Sequence, residues 1–263
     1  MARECSRRRA PRVVPPPESE SPRVVLGRFH EISIGTPDIR ESVVFYERLG
    51  FTQAETNDTL THPYGVLTDG HVFIGLHQRG PAGPALTFVH PNVAAFAGEL
   101  EAHGIELDFR RTGEEEFNEV GFRDPAGQSV QVIEARTYSP VTRRPEDTSL
   151  LGYFVEFSVP STDFEAAKTF WEPLGFVATE EPDAPYAHLP LTSDHLDLAF
   201  HQPRTLDRPM LVFRDPKMRE RLARVRELGV KESRELPRGL PHAGNALIQA
   251  PEGTALLLLE GEV

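Results

Sequence analysis

The chain has 263 residues, of which 39% are hydrophobic and 26% are charged, as in an ordinary soluble globular protein long enough for two domains. Its 28 basic and 40 acidic residues give a net charge of −12, which would repel a nucleic-acid backbone. No apolar run approaches the roughly 18 residues that a membrane helix needs. We therefore expect neither nucleic acid nor a membrane as a partner.

Residues 1–27 precede the first periodic segment and are rich in arginine and proline, with Arg7 to Arg9 and Pro15 to Pro17 as runs. This composition predicts a disordered tail, and no apolar signal-peptide core follows the arginines. The single cysteine, Cys5, lies in the tail, so no disulfide framework is expected. A reducing, cytoplasmic location fits this cysteine usage.

The sequence contains an internal repeat at two levels. FYERLGF at 45–51 returns as FWEPLGF at 170–176, a shift of 125 residues that also carries Asp38 to Asp163. Within the first copy, PDI at 37–39 recurs as PNV at 91–93, a shift of 54 residues. These repeats predict one unit present twice, each built from two related modules.

Each predicted module has the same order of elements. An alternating strand such as 31–34 is followed by a capping turn such as 36–38, a helix, and three short strands. The helices are predicted to end at glycines, which are Gly50, Gly104, Gly175 and Gly229. We predict an α+β protein with domains at 28–136 and 150–263, joined by a polar linker at 137–149.

The opening strand, Asp38, the motif at 45–51 and the closing turn at 124–127 together resemble the vicinal oxygen chelate superfamily. This superfamily holds glyoxalase I, bleomycin resistance proteins and extradiol dioxygenases. The resemblance covers residues 28–136 and 150–260. It implies two tandem glyoxalase-like domains of four βαβββ modules, with curved sheets around a cavity and helices outside. It does not select one activity, because the superfamily includes lyases, isomerases, dioxygenases and metal-free binders.

The resemblance also implies where metal ligands would stand. The corresponding positions are Glu31, Gly75, Ala85 and Gln131 in the first copy, and Glu156, Ala199, Met210 and Leu257 in the second. Neither set contains a histidine, so the iron site of an extradiol dioxygenase is not expected. A divalent metal would need ligands from elsewhere, such as nearby histidines, and we expect the conventional metal site to be degenerate.

Strand periodicity marks the two glutamates as the main candidate catalytic residues. Ile32 and Ile34 form the apolar side of their strand, so Glu31 points the opposite way, toward the cavity, and Glu156 does the same in the second copy. A carboxylate in an apolar cavity needs a hydrogen-bonding or charged partner. A solvated position at the rim of the cavity is the alternative for both.

Four further residues are candidates for binding a ligand together with Gln131. His77 and His201 end equivalent strands, and Tyr64 and Tyr186 follow equivalent prolines just before those strands. Imidazole can exchange protons near neutral pH, and a tyrosine offers a ring and a hydroxyl. Structural or rim positions are the alternative for each.

Two functional hypotheses follow. The first is a metal-free protein, similar to the bleomycin resistance proteins, that binds a small organic molecule; the acidic balance favours a cationic one. The second is a metal-dependent glyoxalase-like lyase or isomerase with Glu31 or Glu156 as base. The sequence leaves open whether modules pair within or across copies, and whether the protein is a monomer or a homodimer.

Overall fold

The computed structural model describes residues 24–54, 63–135, 149–180 and 185–262. Most of the predicted tail, including Cys5, and the predicted linker up to residue 148 lie outside these ranges. Val24 and Leu26 were assigned to the tail, but both side chains are buried. The Val24 N–H donates to the carbonyl of Pro173 at 2.8 Å, so the chain joins the core before the first strand begins.

The first copy forms one eight-stranded mixed sheet. Its strands are β1 (Arg28–Gly35), β2 (Thr52–Gln53), β3 (Tyr64–Thr68), β4 (Phe73–His77), β5 (Ala85–His90), β6 (Leu107–Arg111), β7 (Glu119–Arg123) and β8 (Ser129–Glu134). Their order across the sheet is β2-β3-β4-β1-β5-β8-β7-β6. The opening strands β1 and β5 lie antiparallel at the centre, so the two modules of the first copy pair with each other.

The second copy forms a seven-stranded sheet of the same design. Its strands are β9 (Tyr153–Pro160), β10 (Val177–Ala178), β11 (His188–Thr192), β12 (Leu198–His201), β13 (Met210–Asp215), β14 (Ala246–Gln249) and β15 (Ala255–Glu260). Their order is β10-β11-β12-β9-β13-β15-β14. The fourth module has one strand fewer than predicted, with a single bridge from Glu232 to Ile248 in its place. Pro237, Gly239 and Pro241 follow that bridge, and such residues interrupt strand pairing.

The helices are α1 (Ile39–Arg48), α2 (Val93–Ala102), α3 (Phe164–Trp171) and α4 (Met218–Glu227). Asp38 caps α1 by accepting a hydrogen bond from the Glu41 N–H at 3.0 Å, and Asp163 caps α3 in the same way. The predicted glycines after the four helices all have positive φ. No helix within the described ranges is long and apolar enough to cross a membrane.

The two copies share one hydrophobic core, formed by the outer faces of the sheets and the helices. Among the hydrogen bonds that join them, two are related by the repeat. The indole Nε1 of Trp171 donates to Asp124 in the turn before β8, and the Tyr46 hydroxyl donates to Glu252 in the turn before β15. Since Tyr46 and Trp171 are equivalent in the repeat, the copies pack in a pseudo-symmetric way. The opposite face of each sheet carries Glu31 or Glu156 and points away from this core. We call it the concave face, after the curvature that the sequence resemblance implies.

Candidate ligand sites on the two concave faces

The antiparallel pairing of β1 with β5 decides which side chains meet on the first concave face. Glu31 pairs with Thr87, and Thr87 pairs in turn with Gln131 on β8. In the sequence repeat, Ala85 is the position on β5 that corresponds to Glu31, because the shift of 54 residues carries Glu31 to Ala85. Because β1 and β5 run antiparallel, residue numbers rise along one strand as they fall along the other. Glu31 therefore lies beside Thr87, and Ala85 lies beside Ser33. Thr87, which sequence reasoning missed, is the repeat equivalent of Ser33.

Glu31 is the centre of a buried hydrogen-bond network, with only 2% of its surface exposed. Its Oε1 accepts from the Ser33 hydroxyl at 2.7 Å and lies 2.9 Å from Nε2 of His77. Its Oε2 accepts from the Tyr64 hydroxyl at 2.5 Å. The structure therefore brings together three residues that the sequence singled out separately, namely Glu31, Tyr64 and His77.

Thr87 extends this network by one step. The Ser33 and Thr87 hydroxyls lie 2.7 Å apart, and a serine has a single hydroxyl proton. Because the Ser33 proton goes to Glu31, Thr87 is the donor to Ser33. The order of donation is thus from Thr87 through Ser33 to the carboxylate.

The network keeps Glu31 ionised. Burial alone would raise the pKa of Glu31, but the hydrogen bond from His77 and the electrostatic influence of the nearby His30 lower it below its ordinary value. A carboxylate with a lowered pKa and three donors is a weaker base than a free glutamate. Its role in this geometry is to hold Tyr64 and His77 in place.

Gly75 makes room for this arrangement. A Cβ atom built on Gly75 would lie 2.0 Å from Oε1 and 2.2 Å from the carboxyl carbon of Glu31. The carboxylate thus occupies the volume that any other residue at position 75 would fill. In the sequence analysis, Gly75 stood at a metal-ligand position without a side chain that could bind a metal. In the structure, the space left by that absent side chain holds the Glu31 carboxylate.

The rest of the first concave face combines polar and aromatic side chains. Nε2 of Gln131 donates to Glu119 at 2.6 Å, and Glu119 also pairs with Arg111. The Phe109 ring covers Gly121, where a Cβ atom would lie 2.2 Å from the ring. On the opposite side, the Tyr64 and His77 rings lie 4.5 Å apart between centroids. In strand order, Gln131 on β8 thus lies between the Tyr64–His77 pair on β3 and β4 and Phe109 on β6.

The second concave face differs from the first in its central row. Glu156 pairs with Val212, Val212 with Leu257, and Leu257 with Leu247. The other three members of this row, Val212, Leu257 and Leu247, belong to a separate buried apolar cluster that also holds Tyr186 and Met210. Leu236 and Leu240, from the segment that replaces the missing strand, pack against this cluster. Glu156 is thus the only charged member of the row.

Glu156 does not form the network that Glu31 forms. Ala199 stands beside Ser158 where Gly75 stands beside Ser33, so a methyl group fills the slot. His201 donates from Nε2 to the Leu206 carbonyl at 2.9 Å, and its Nδ1 accepts from the Ser158 hydroxyl at 2.8 Å. Burial lowers the pKa of His201 to about 4, which fits this neutral form.

The carboxyl of Glu156 makes no hydrogen bond or ion pair with any residue in the described part of the chain. Burial raises its pKa to about 7, with Arg214 opposing and Asp197 adding to the shift. Burial and then the charge of Glu156 raise the pKa of Tyr186 well above its ordinary value. The structure thus places Tyr186 within electrostatic range of Glu156, while His201 bonds elsewhere.

These residues do not fit the metal site that the resemblance implies. Within the described ranges, no three histidine, cysteine, aspartate or glutamate side chains form a group that could hold a metal ion. A metal at Glu31 would have to displace three protein donors from its two oxygens. The next residues in the row, Thr87 and Gln131, are neutral and weak ligands.

Comparisons with known proteins agree with the fold. No protein-family model matches the chain, and no curated protein matches it. Among solved structures, a catechol 2,3-dioxygenase is similar over 90% of this chain and 88% of its own, with 17% identity and a TM-score of 0.53. An extradiol ring-cleaving dioxygenase from B. fuscum is similar over 94% and 75%, with 18% identity and a TM-score of 0.60. Homoprotocatechuate 2,3-dioxygenase from Arthrobacter globiformis is similar over 90% and 80%, with 19% identity and a TM-score of 0.55.

At these identities the likeness shows the fold alone. The chain has a two-domain α+β fold like that of these dioxygenases, as the internal repeat and the motif at 45–51 predicted. Neither the glyoxalases nor the bleomycin resistance proteins are singled out by these matches.

Proposed function

We propose that this protein binds a small aromatic molecule carrying hydroxyl groups on the concave face of its first domain, without a conventional metal site. The carbonyl oxygen of the Gln131 side chain carries this proposal. The amide nitrogen of Gln131 donates to Glu119, whereas its oxygen accepts no hydrogen bond from the described residues. A ligand hydroxyl would supply that donor.

The surroundings of Gln131 suit a flat ring. Tyr64 and His77 offer aromatic rings on one side of Gln131 in strand order, and Phe109, with the Arg111 guanidinium 5.3 Å from its ring centroid, offers one on the other side. Aromatic side chains stack readily on planar ligands, and a few polar groups then fix the orientation. The structural neighbours are named for catechol and homoprotocatechuate, which supports testing dihydroxylated rings first.

In this proposal Glu31 is a positioning residue. Its hydrogen bonds orient the Tyr64 hydroxyl and the His77 ring, and its lowered pKa speaks against a role as the base of a lyase or isomerase. Ring cleavage is not expected either, since the neutral residues next to Glu31 replace the ligands that non-haem iron needs.

Binding is tested with catechol and with veratrole, in which both hydroxyls are methylated, by isothermal titration calorimetry. We expect catechol to bind and veratrole to bind at least about fivefold more weakly, because one hydrogen bond contributes about 1 kcal/mol or more. Gln131→Met should remove most of this difference. Gln249→Met, at an exposed glutamine of the second domain, is the matched control. Equal affinity for both compounds, or an unchanged preference in Gln131→Met, would contradict the proposal.

Metal dependence is tested on the same protein by mass spectrometry after dialysis, beside Glu31→Ala and Glu156→Ala. We expect no stoichiometric divalent ion, and catechol binding that survives chelator. About one divalent ion per chain, lost in either variant, would instead support the metal-dependent enzyme.

A further inference from the structure

We propose that the concave face of the second domain is a separate binding site for small molecules in which a protonated amine is attached to an apolar body, with Glu156 binding the ammonium group. This inference concerns a different domain from the proposed catechol site and does not depend on it.

The first step is the position of the Glu156 carboxyl. In the first domain, the carboxylate lies in the space that the absent side chain of Gly75 leaves open. Ala199 occupies that space in the second domain, so Glu156 cannot fold back in the same way. The repeat therefore conserves the glutamate while closing its internal slot.

The second step is the loss of internal donors. Ser158 donates its proton to His201, and His201 donates its own to the Leu206 carbonyl. The residue facing Glu156 is Val212, which has no hydroxyl where the first domain has Thr87. A half-buried carboxylate without protein donors is costly, and a ligand that brings a donor would relieve that cost.

The third step is the charge around Glu156. The titratable and charged groups around it are Asp197 just before β12, His201 from β12, Arg214 from β13, and Tyr186 and His188 from β11 and the segment before it. Burial lowers the pKa of both histidines, and burial raises the pKa of Tyr186, so these three are neutral near pH 7. Glu156 and Asp197 then outnumber Arg214, and an added cation would balance them.

The fourth step is the apolar surface beside the carboxylate. Val212 and Leu257 continue the row from Glu156, but both side chains are fully buried. Leu236 and Leu240, which pack against the same cluster, are partly exposed. A compound with an apolar body would bury that body against these two leucines while its ammonium group meets Glu156. The first domain instead combines the polar Gln131 and Glu119 with aromatic side chains.

The test uses benzylammonium, and benzyl alcohol as its neutral isostere, in calorimetric titrations of the full chain at pH 6 and pH 8. Because burial raises the pKa of Glu156 to about 7, its carboxyl is about 10% ionised at pH 6 and about 90% at pH 8. We expect benzylammonium to bind about tenfold more tightly at pH 8, and benzyl alcohol to show no such dependence.

Variants assign this preference to Glu156. Glu156→Gln should lose the preference for benzylammonium over benzyl alcohol, and Glu156→Asp, which keeps the charge, should retain part of it. Glu227→Gln makes the same charge change at an exposed position of α4 and should leave binding unchanged. Gln131→Met, in the other domain, should also leave it unchanged.

Three results would overturn the proposal: no saturable binding of benzylammonium at pH 8, equal binding of the two compounds, or an unchanged preference in Glu156→Gln. Loss of benzylammonium binding in Gln131→Met would place the amine in the first domain and overturn it as well. Failure of the catechol test alone would leave the second site standing.

Discussion

The two domains place the same residue in opposite environments. Glu31 and Glu156 stand at equivalent positions of β1 and β9, yet one carboxylate accepts three hydrogen bonds and the other accepts none from the described residues. The pKa of Glu31 is lowered, because His77, His30 and Tyr64 together outweigh the effect of burial. The pKa of Glu156 is raised to about 7 by burial. The backbone is shared, so the difference comes from neighbouring side chains.

Two neighbouring positions account for most of that difference. Gly75 leaves a slot for the carboxylate, and Ala199 closes it; Thr87 supports the donor to Glu31, and Val212 has none to offer. A duplicated fold can thus enclose one carboxylate in a hydrogen-bond network and leave the other without a hydrogen-bond partner among the described residues. Four substitutions test this comparison, each in one domain with a counterpart in the other.

The largest effect is expected for Gly75→Ala. The new methyl group would overlap the Glu31 carboxylate and force it out of its three hydrogen bonds, so the free energy of unfolding should fall by about 3 kcal/mol. Denaturant unfolding monitored by circular dichroism measures this change. The reverse change in the second domain, Ala199→Gly, should cost only about 1 kcal/mol. Equal losses in the two variants would show that the slot is unimportant.

The next largest effect is expected for Glu31→Gln. This change removes the charge and places the amide NH₂ group, a donor, against the groups that donate to Glu31. The free energy of unfolding at pH 7 should fall by about 2 kcal/mol. Because the folded pKa of Glu31 lies below its ordinary value, its contribution is complete above pH 4.5 and is lost as the pH falls below that value. The difference between wild type and variant should therefore shrink in acid, and a difference that grows in acid would be inconsistent with a lowered pKa.

Glu156→Gln should have the opposite sign. Because the folded pKa of Glu156 lies above its ordinary value of 4.5, wild-type stability is lost as the pH rises from about 4.5 to about 7. The variant has no such loss, so it should be more stable than wild type by about 2 kcal/mol at pH 8 and nearly equal to it at pH 4; the whole pKa difference would give more, but the Glu156 side chain is partly exposed. Melting temperatures at both pH values test this, and a less stable variant at pH 8 would mean that Glu156 has a stabilising partner.

The smallest effect is expected for Thr87→Val, which copies the side chain of Val212 into the first domain. Ser33 would lose its donor but keep its own bond to Glu31, so the cost in unfolding free energy should be about 1 kcal/mol. Val212→Thr, which buries a hydroxyl among apolar residues, is the counterpart. A Thr87→Val protein as unstable as Gly75→Ala would show that the hydroxyl relay, rather than the slot, holds Glu31.

The sequence was sufficient for the fold because the signals were local and repeated. The motif at 45–51, the aspartate caps and the glycines after the helices each predicted an element that the structure contains. The missing strand of the fourth module was not predicted, although Pro237 and Pro241 stand where it would run. Periodicity also placed Glu31 and Glu156 on the cavity side of their strands.

The sequence was insufficient for the sites because the decisive contacts cross between strands. Thr87 was missed since repeat alignment pairs Glu31 with Ala85, whereas antiparallel pairing brings Thr87 beside it. Gly75 and Ala199 were compared only as absent metal ligands, although their difference of one methyl group determines where each carboxylate goes. Such a contact is visible only once the strands are in register.

The most direct test of this comparison is a pH titration of the two carboxyl groups by NMR, with ¹³C-labelled glutamate and the Glu31→Gln and Glu156→Gln variants for assignment. We expect the Glu156 carboxyl to titrate with a pKa of about 7 and the Glu31 carboxyl below its ordinary value of 4.5. Two glutamates that titrate together near 4.5 would contradict the claim that the two domains use this residue in different ways.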